Sequence, residues 1–168
     1  MTATPDIDEA AHLSEPPEHL ALRLAEEKAS ALASQFPDHL IIGSDQVAIL
    51  DNQQLHKPGT REMNLRQLRD SAGKTAVFYT GLCVIDTRSG TCLHDMDITR
   101  VRFRQLSERQ IENYVDREKS WNCAGGFKSE GLGIALFEKM ETEDPNALVG
   151  LPLIRLIRLL EGFGVHVF

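Results

Sequence analysis

The residue order predicts an α/β fold, a mixed twisted sheet flanked by helices, in a single domain over residues 1–168. Three observations predict it. Stretches with the helical spacing of apolar residues alternate along the chain with apolar or β-branched runs. The run from Leu40 to Leu50 is apolar enough for a strand buried on both faces. Two further β-rich stretches, 75–86 and 91–104, flank Ser89-Gly90, so the sheet contains at least one hairpin.

The elements follow in order. Residues 4–17 are acidic and carry prolines, which reads as an extended approach to the first helix. Pro16 and Pro17 suit that helix's first turn, because its N–H groups have no partner there in any case. The helix is predicted over 18–35, with Leu20, Leu24, Ala31 and Leu32 on one side, and Phe36-Pro37-Asp38 ends it. After the 40–50 strand, Asp51-Asn52 signals a turn, and 53–57 returns as a short strand. Pro58-Gly59 breaks the chain, Thr60 caps a second helix running to Ala72, and Gly73 provides its left-handed stop. Ser107-Glu108-Arg109-Gln110 is a capping box that opens a third helix, with Ile111, Tyr114 and Val115 inward. A glycine-rich segment spans 122–133, and a strand is predicted near 134–140. Pro145-Asn146 turns the chain, Pro152 opens a last apolar-sided helix closed by Gly162, and 165–168 is read as a final strand.

Composition narrows function. The 168 residues, 42% hydrophobic and 26% charged, match an ordinary soluble globular domain. A net charge of −7 argues against a nucleic-acid polymer or an anionic membrane surface as partner, since both need a basic face. A small anionic substrate remains compatible, because a few pocket lysines and a divalent ion suffice to bind it. The odd set Cys83, Cys92 and Cys123 is no disulfide framework, and a reducing cytoplasm is expected. No membrane-length apolar run and no signal-peptide pattern is seen. The histidines show no metal-ligand spacing and are read as background.

Several residues are candidates for chemistry. Asp45 interrupts an apolar strand, where a carboxylate is costly unless paired or bound to a cation. It is either a strand-end cap or a general base or metal ligand at a sheet edge. Asp6, Asp8 and Glu9 offer oxygen donors for a hard cation such as Mg²⁺, or form a solvated acidic stretch. Lys28 on a helix and Lys57 before Pro58-Gly59 are surface lysines or phosphate contacts. Trp121-Asn122-Cys123-Ala124-Gly125-Gly126 and the glycines to Gly133 allow close backbone approach to a ligand, or form a turn with Trp121 in the core. Cys123 has no histidine near it in sequence and is read as a small buried thiol.

These segments together resemble a known family. The carriers are Thr4-Pro5-Asp6-Ile7-Asp8-Glu9, Arg23-Leu24-Ala25-Glu26-Glu27-Lys28-Ala29, Gly43-Ser44-Asp45-Gln46-Val47, Lys57-Pro58, Thr80-Gly81, the 125–133 loop and Val149-Gly150-Leu151-Pro152-Leu153, in this order. The family is the Maf-like nucleoside triphosphate pyrophosphatases, whose fold is similar to that of the inosine triphosphate pyrophosphatases. The resemblance implies metal-dependent attack of water on a modified nucleoside triphosphate, with release of pyrophosphate and with Mg²⁺, Mn²⁺ or Co²⁺ as cofactor. It implies Asp45 as the proton acceptor, Glu9, Lys28 and Lys57 around the phosphates and metal, and Glu9 with Asp45 holding the ion. Gln46 and Glu130 match positions linked to substrate choice. The Trp121 segment, with Glu130 where other branches carry glutamine, is similar to the branch acting on 7-methyl-GTP, and Trp121 joins the specificity set. A homodimer is implied as well.

The family's S-x-S-P-R-R phosphate loop does not occur here, so the resemblance implies a domain shortened at its N-terminus, with the first strand and helix missing. The alternatives to an active enzyme are a catalytically impaired nucleotide-binding remnant and an interaction protein linked to cell division.

Overall fold

The structure is a computed structural model that describes residues 1–168. The expected α/β class holds: helices α1 (Pro17–Ser30), α2 (Arg61–Ser71), α3 (Glu108–Glu118) and α4 (Leu153–Gly162) accompany one five-stranded sheet. Its strands are β1 (Leu40–Leu50), β2 (Gln53–Leu55), β3 (Thr75–Asp86), β4 (Cys92–Phe103) and β5 (Phe137–Glu141), in the order β2-β1-β3-β4-β5.

The sheet is antiparallel, which corrects the expectation of a mixed one. β1 pairs antiparallel with β2, with Ala48 opposite Leu55, and β4 with β5, with Val101 opposite Met140. Between β3 and its neighbours, backbone bonds link residues whose numbers run in opposite directions. Thr87 donates to His39 O, Asp86 to Thr91 O, and Phe103 to Lys74 O. Two of the connections are tight turns, which can only return the chain antiparallel. Asp51 and Asn52, with φ of 49° and 64°, make the β1–β2 turn in the left-handed region that hairpins favour.

The chain divides into two compact units. The first comprises residues 1–46, 79–97 and 144–168, and the second residues 47–78 and 98–143.

In the first unit, α1 buries Leu20, Ala21, Leu24, Ala25 and Ala29. The small residues have a purpose. A Cβ on Gly43 of β1 would stand 2.1 Å from Ala25 O, and one on Gly81 of β3 would stand 2.3 Å from Ala21 O. The helix backbone therefore rests directly on both strands, which only glycine permits. α1 stops at Ser30 and gives way to turns, short of the predicted Gln35. α4 places Leu156 against Leu82 and Val84. Its start is held by buried Asp144, whose carboxylate accepts from Ile154 N at 2.5 Å. Residues 165–168, predicted as a strand, form none and are mostly exposed. They follow Gly162 and Gly164, and no strand of the sheet includes them.

The second unit is centred on four phenylalanines. Phe78, Phe103, Phe127 and Phe137 meet edge to face, with centroids 4.9–5.7 Å apart, the geometry that aligns ring edges with ring faces. α2 and α3 pack side by side and are joined at their exposed sides by Arg61–Asp116 and Arg69–Glu108 pairs. Pairs as exposed as these are screened by solvent and contribute little to stability. The predicted capping box at α3 is complete: Ser107 Oγ accepts from Gln110 N, and Gln110 Oε1 accepts from Ser107 N. Ser107→Ala is expected to cost about 1 kcal/mol, read as a lower urea midpoint at unchanged slope. The strand expected near 134–140 begins later. Residues Leu132–Leu136 form a 3₁₀ turn, and β5 starts at Phe137.

Candidate active site

Period-two alternation on β1 sorts its central residues. Gly43 and Asp45 share one face and Ser44 and Gln46 the other. Because α1 lies on Gly43, its last turn comes over Asp45. Lys28 Nζ sits 2.5 Å from Asp45 Oδ1 and 2.7 Å from Glu9 Oε1. Three of this unit's sequence candidates, Glu9, Lys28 and Asp45, are thus assembled around one ammonium. Asp45 is the deepest of them, with 12% of its side chain exposed, against 20% for Lys28 and 57% for Glu9. Burial by itself would lower the Lys28 pKa. The hydrogen bonds to Asp45 and Glu9 outweigh it and raise the pKa above its ordinary value, so Lys28 is a cation at neutral pH.

Glu9 lies in a segment without helix or strand, and its placement depends on Arg23. That guanidinium donates to both oxygens of Glu15, at 2.7 and 2.8 Å, and to the carbonyl of Ala10 at 3.0 Å. The sequence reading gave Arg23 no role. Its signals are its place at the head of the 23–29 motif and its position one turn before Glu27, with which it also pairs. The hydrogen bond from Arg23, with a further one from the His12 backbone, lowers the Glu15 pKa to about 2. A depressed carboxylate favours the docked segment at pH values above its free pKa. That contribution fades as pH falls from about 4.5 towards 2. Carboxyl-resolved NMR titration should find Glu15 far below the other exposed glutamates, and Arg23→Gln should return it to the ordinary range.

On the other face of β1, Gln46 Nε2 donates to Thr80 Oγ1 at 3.0 Å and to Ala147 O at 2.9 Å. Thr80, fully buried, donates in turn to Ala147 O at 3.1 Å. Ser44 Oγ lies 2.8 Å from both Gly81 O and Gly150 O and donates to one at a time. These side chains hold the Ala147–Val149 turn that precedes α4. Gln46 therefore turns its amide N–H groups to the backbone of that turn. Ser44 and Thr80, its partners in this task, lie in the family-like motifs but receive no role of their own from the sequence.

The second unit carries the remaining candidates. Gly59 N donates to Trp121 O at 2.8 Å, tying the loop after Lys57 to the glycine-rich segment. Ser120, fully buried, anchors that segment by donating to Gly126 O at 2.7 Å. Lys128 N donates to the Tyr114 hydroxyl at 3.1 Å, fixing the loop to α3. Lys57 and Glu130 are exposed, and Trp121 is half-buried outside the phenylalanine cluster. Charges from Lys128, Glu130 and Lys57 all reach Cys123. Burial raises the Cys123 pKa, and Glu130 adds to this against the two lysines, so the thiol form is favoured. A thiol is a poor nucleophile, which agrees with reading Cys123 as structural.

The Maf-like protein family model matches residues 1–163, and the chain belongs to that family. Three curated relatives bear the name 7-methyl-GTP pyrophosphatase. The one from Nitrosococcus oceani is 53% identical over 163 residues, covering 97% of this chain and 82% of the relative. That from Alcanivorax borkumensis is 55% identical over 163 residues, covering 97% and 83%. That from Methylobacillus flagellatus is 51% identical over 164 residues, covering 98% and 85%. No helix is long and apolar enough to cross a membrane.

Proposed function

We propose that this chain hydrolyses 7-methyl-GTP to 7-methyl-GMP and pyrophosphate, as a cytoplasmic enzyme that clears a modified nucleotide. The names of the three relatives support the substrate. The observation that carries the chemistry is the Glu9–Lys28–Asp45 cluster, a mostly buried carboxylate paired with a lysine ammonium that a second carboxylate also contacts.

In this reading Asp45 accepts a proton from the attacking water. The water oxygen bonds to the α-phosphorus. The bond from that phosphorus to the bridging oxygen breaks, and its electron pair leaves with pyrophosphate. Lys28 offsets charge that grows on phosphate oxygens and holds the Asp45 carboxylate in place. The carboxylate oxygens of Glu9 and Asp45, which here both pair with the Lys28 ammonium, are hard donors of the kind that suits Mg²⁺ or Mn²⁺. Glu9 and Asp45 would hold such an ion, which when bound neutralises phosphate charge and activates water.

The resemblance assigns Trp121 and Glu130 to the base and Lys57 to phosphate contact. Methylation at N7 makes guanine a cation, and the half-buried indole of Trp121 would attract it by about 0.5–2 kcal/mol. Glu130 would accept from the N–H groups on the guanine edge and complement its charge. Gln46 contributes indirectly, by holding the Ala147–Val149 turn. Glu130→Gln is expected to lower the preference for 7-methyl-GTP over GTP by about tenfold, since it removes roughly 1.4 kcal/mol of charge complementarity. An unchanged ratio of kcat/KM values would remove Glu130 from the specificity set.

The deciding assay is pyrophosphate release from 7-methyl-GTP, with GTP, dTTP and UTP as comparators, with and without Mg²⁺. Release that is metal-dependent and fastest with 7-methyl-GTP is expected. Equal rates with GTP would overturn the substrate, and no release from any of the four would overturn the activity.

A further inference from the structure

Within the first unit, away from the Lys28 cluster, β3, β4 and α1 bring together four side chains of metal-ligating type. Cys92 and His94, two residues apart on β4, face the same way. Cys83 reaches them from β3, its sulfur 2.8 Å from Cys92 Sγ. Cys92 Sγ is 3.6 Å from His94 Nε2. His94 Nε2 is 3.1 Å from Glu26 Oε2 on α1. One donor atom from each of Cys83, Cys92 and His94 lies within 4.8 Å of the other two. Linear spacing holds only the Cys92-x-His94 fragment, because this set is assembled by strand pairing and helix packing.

We propose that Cys83, Cys92 and His94 bind a thiophilic divalent ion of the Zn²⁺ class at a site separate from the hard-cation site, with Glu26, now hydrogen-bonded to His94, moving in as the fourth ligand. The donors are two sulfurs, one imidazole nitrogen and one carboxylate oxygen, a set that favours zinc over magnesium or calcium. Around a tetrahedral ion with Zn–S of about 2.3 Å and Zn–N and Zn–O of about 2.0–2.2 Å, the ligand-to-ligand edges are about 3.6 Å for S–N and 3.4 Å for N–O. The observed 3.6 and 3.1 Å are close to both. The sulfurs must open to about 3.8 Å. Their present 2.8 Å lies well above the about 2.05 Å of a disulfide bond.

Burial fits a structural ion that enters from one side. Cys83 is fully buried in a cluster with Ala25, Ala29, Ile41 and Ile85, against which Cys92 packs. His94 and Glu26 are about half exposed and form the open side. On binding, the two thiols release their protons to solvent, and His94 binds through the Nε2 lone pair with its proton on Nδ1. Glu26 exchanges its hydrogen bond from His94 for a bond to the ion. The ion would link α1 to the β3–β4 hairpin, stapling the helix that carries Lys28.

The test is titration of the reduced full chain with Co²⁺ and Zn²⁺. One equivalent of Co²⁺ should produce a thiolate-to-cobalt charge-transfer band and tetrahedral d–d bands, which Zn²⁺ then displaces. Cys92→Ser and His94→Ala should lose them, and Cys123→Ser should keep them. Zinc at a hundredfold excess over its Kd should raise Tm by roughly 5–10 °C in the parent chain and leave Cys92→Ser unmoved. His94→Ala alters a half-exposed residue and covers the case in which a cysteine variant fails to fold. Three outcomes overturn the site: no cobalt band in the reduced chain, a band that persists in both variants, or a Cys83–Cys92 disulfide in anaerobically purified protein that takes up no metal.

Discussion

Asp45→Asn is expected to lower kcat for 7-methyl-GTP by about 10²–10⁴-fold, the usual contribution of a general base. The substitution keeps the side chain's shape and removes only its charge and basicity. Lys28 retains its contact with Glu9 at 2.7 Å, so the ammonium is not left without an anion. The loss should therefore fall on kcat, with KM changed much less, the pattern of a group that acts in the transition state. Thermal unfolding measured beside the kinetics separates chemistry from folding: Tm should stay within a few degrees of the parent chain. A fully active Asp45→Asn protein would exclude Asp45 as the base. A large fall in Tm that tracked the lost activity would make it a structural anion.

Gly43→Val is expected to abolish stable folding of the first unit, and Gly43→Ala to cost about 3 kcal/mol or more, the upper end of overpacking penalties. Gly43 is not in the left-handed region, so backbone strain is not the reason. The reason is space: even the first carbon of a side chain would lie 2.1 Å from Ala25 O, 2.9 Å from Ala29 N and 3.0 Å from Ala29 Cβ. Two of these are main-chain atoms of α1, which cannot yield without moving the helix. Lys28 would be carried off Asp45 at the same time. A lower urea midpoint together with lost turnover is the expected result. An alanine variant with the parent midpoint would show that α1 does not rest on β1 as described.

The two predictions separate what could be read from the residue order and what could not. Sequence by itself determined the class of fold, because helical periodicity, apolar runs and turn residues are local properties. It located α2, capped by Thr60 and stopped by Gly73, and α3, capped by its Ser107–Gln110 box, since a cap is made by residues that are neighbours in the chain. It also singled out Asp45, by the free-energy cost of a carboxylate in an apolar strand, and the ordered motifs that mark the family.

Only the tertiary structure decided the rest. The antiparallel sheet followed from which strands paired, a long-range choice that local pattern leaves open. That Lys28 and Glu9 reach Asp45 depends on α1 lying directly on Gly43 and Gly81, a steric fit between residues far apart in sequence. Gln46 was marked by motif, yet its orientation towards Ala147 depends on a turn a hundred residues away. Arg23 and Asp144 are ordinary charges in the sequence, and become anchors only because folding brings Ala10 to one and Ile154 to the other. The Cys83, Cys92, His94 and Glu26 group escaped sequence reading for the same reason: ligand spacing along a chain records only one element, and this cluster draws on three.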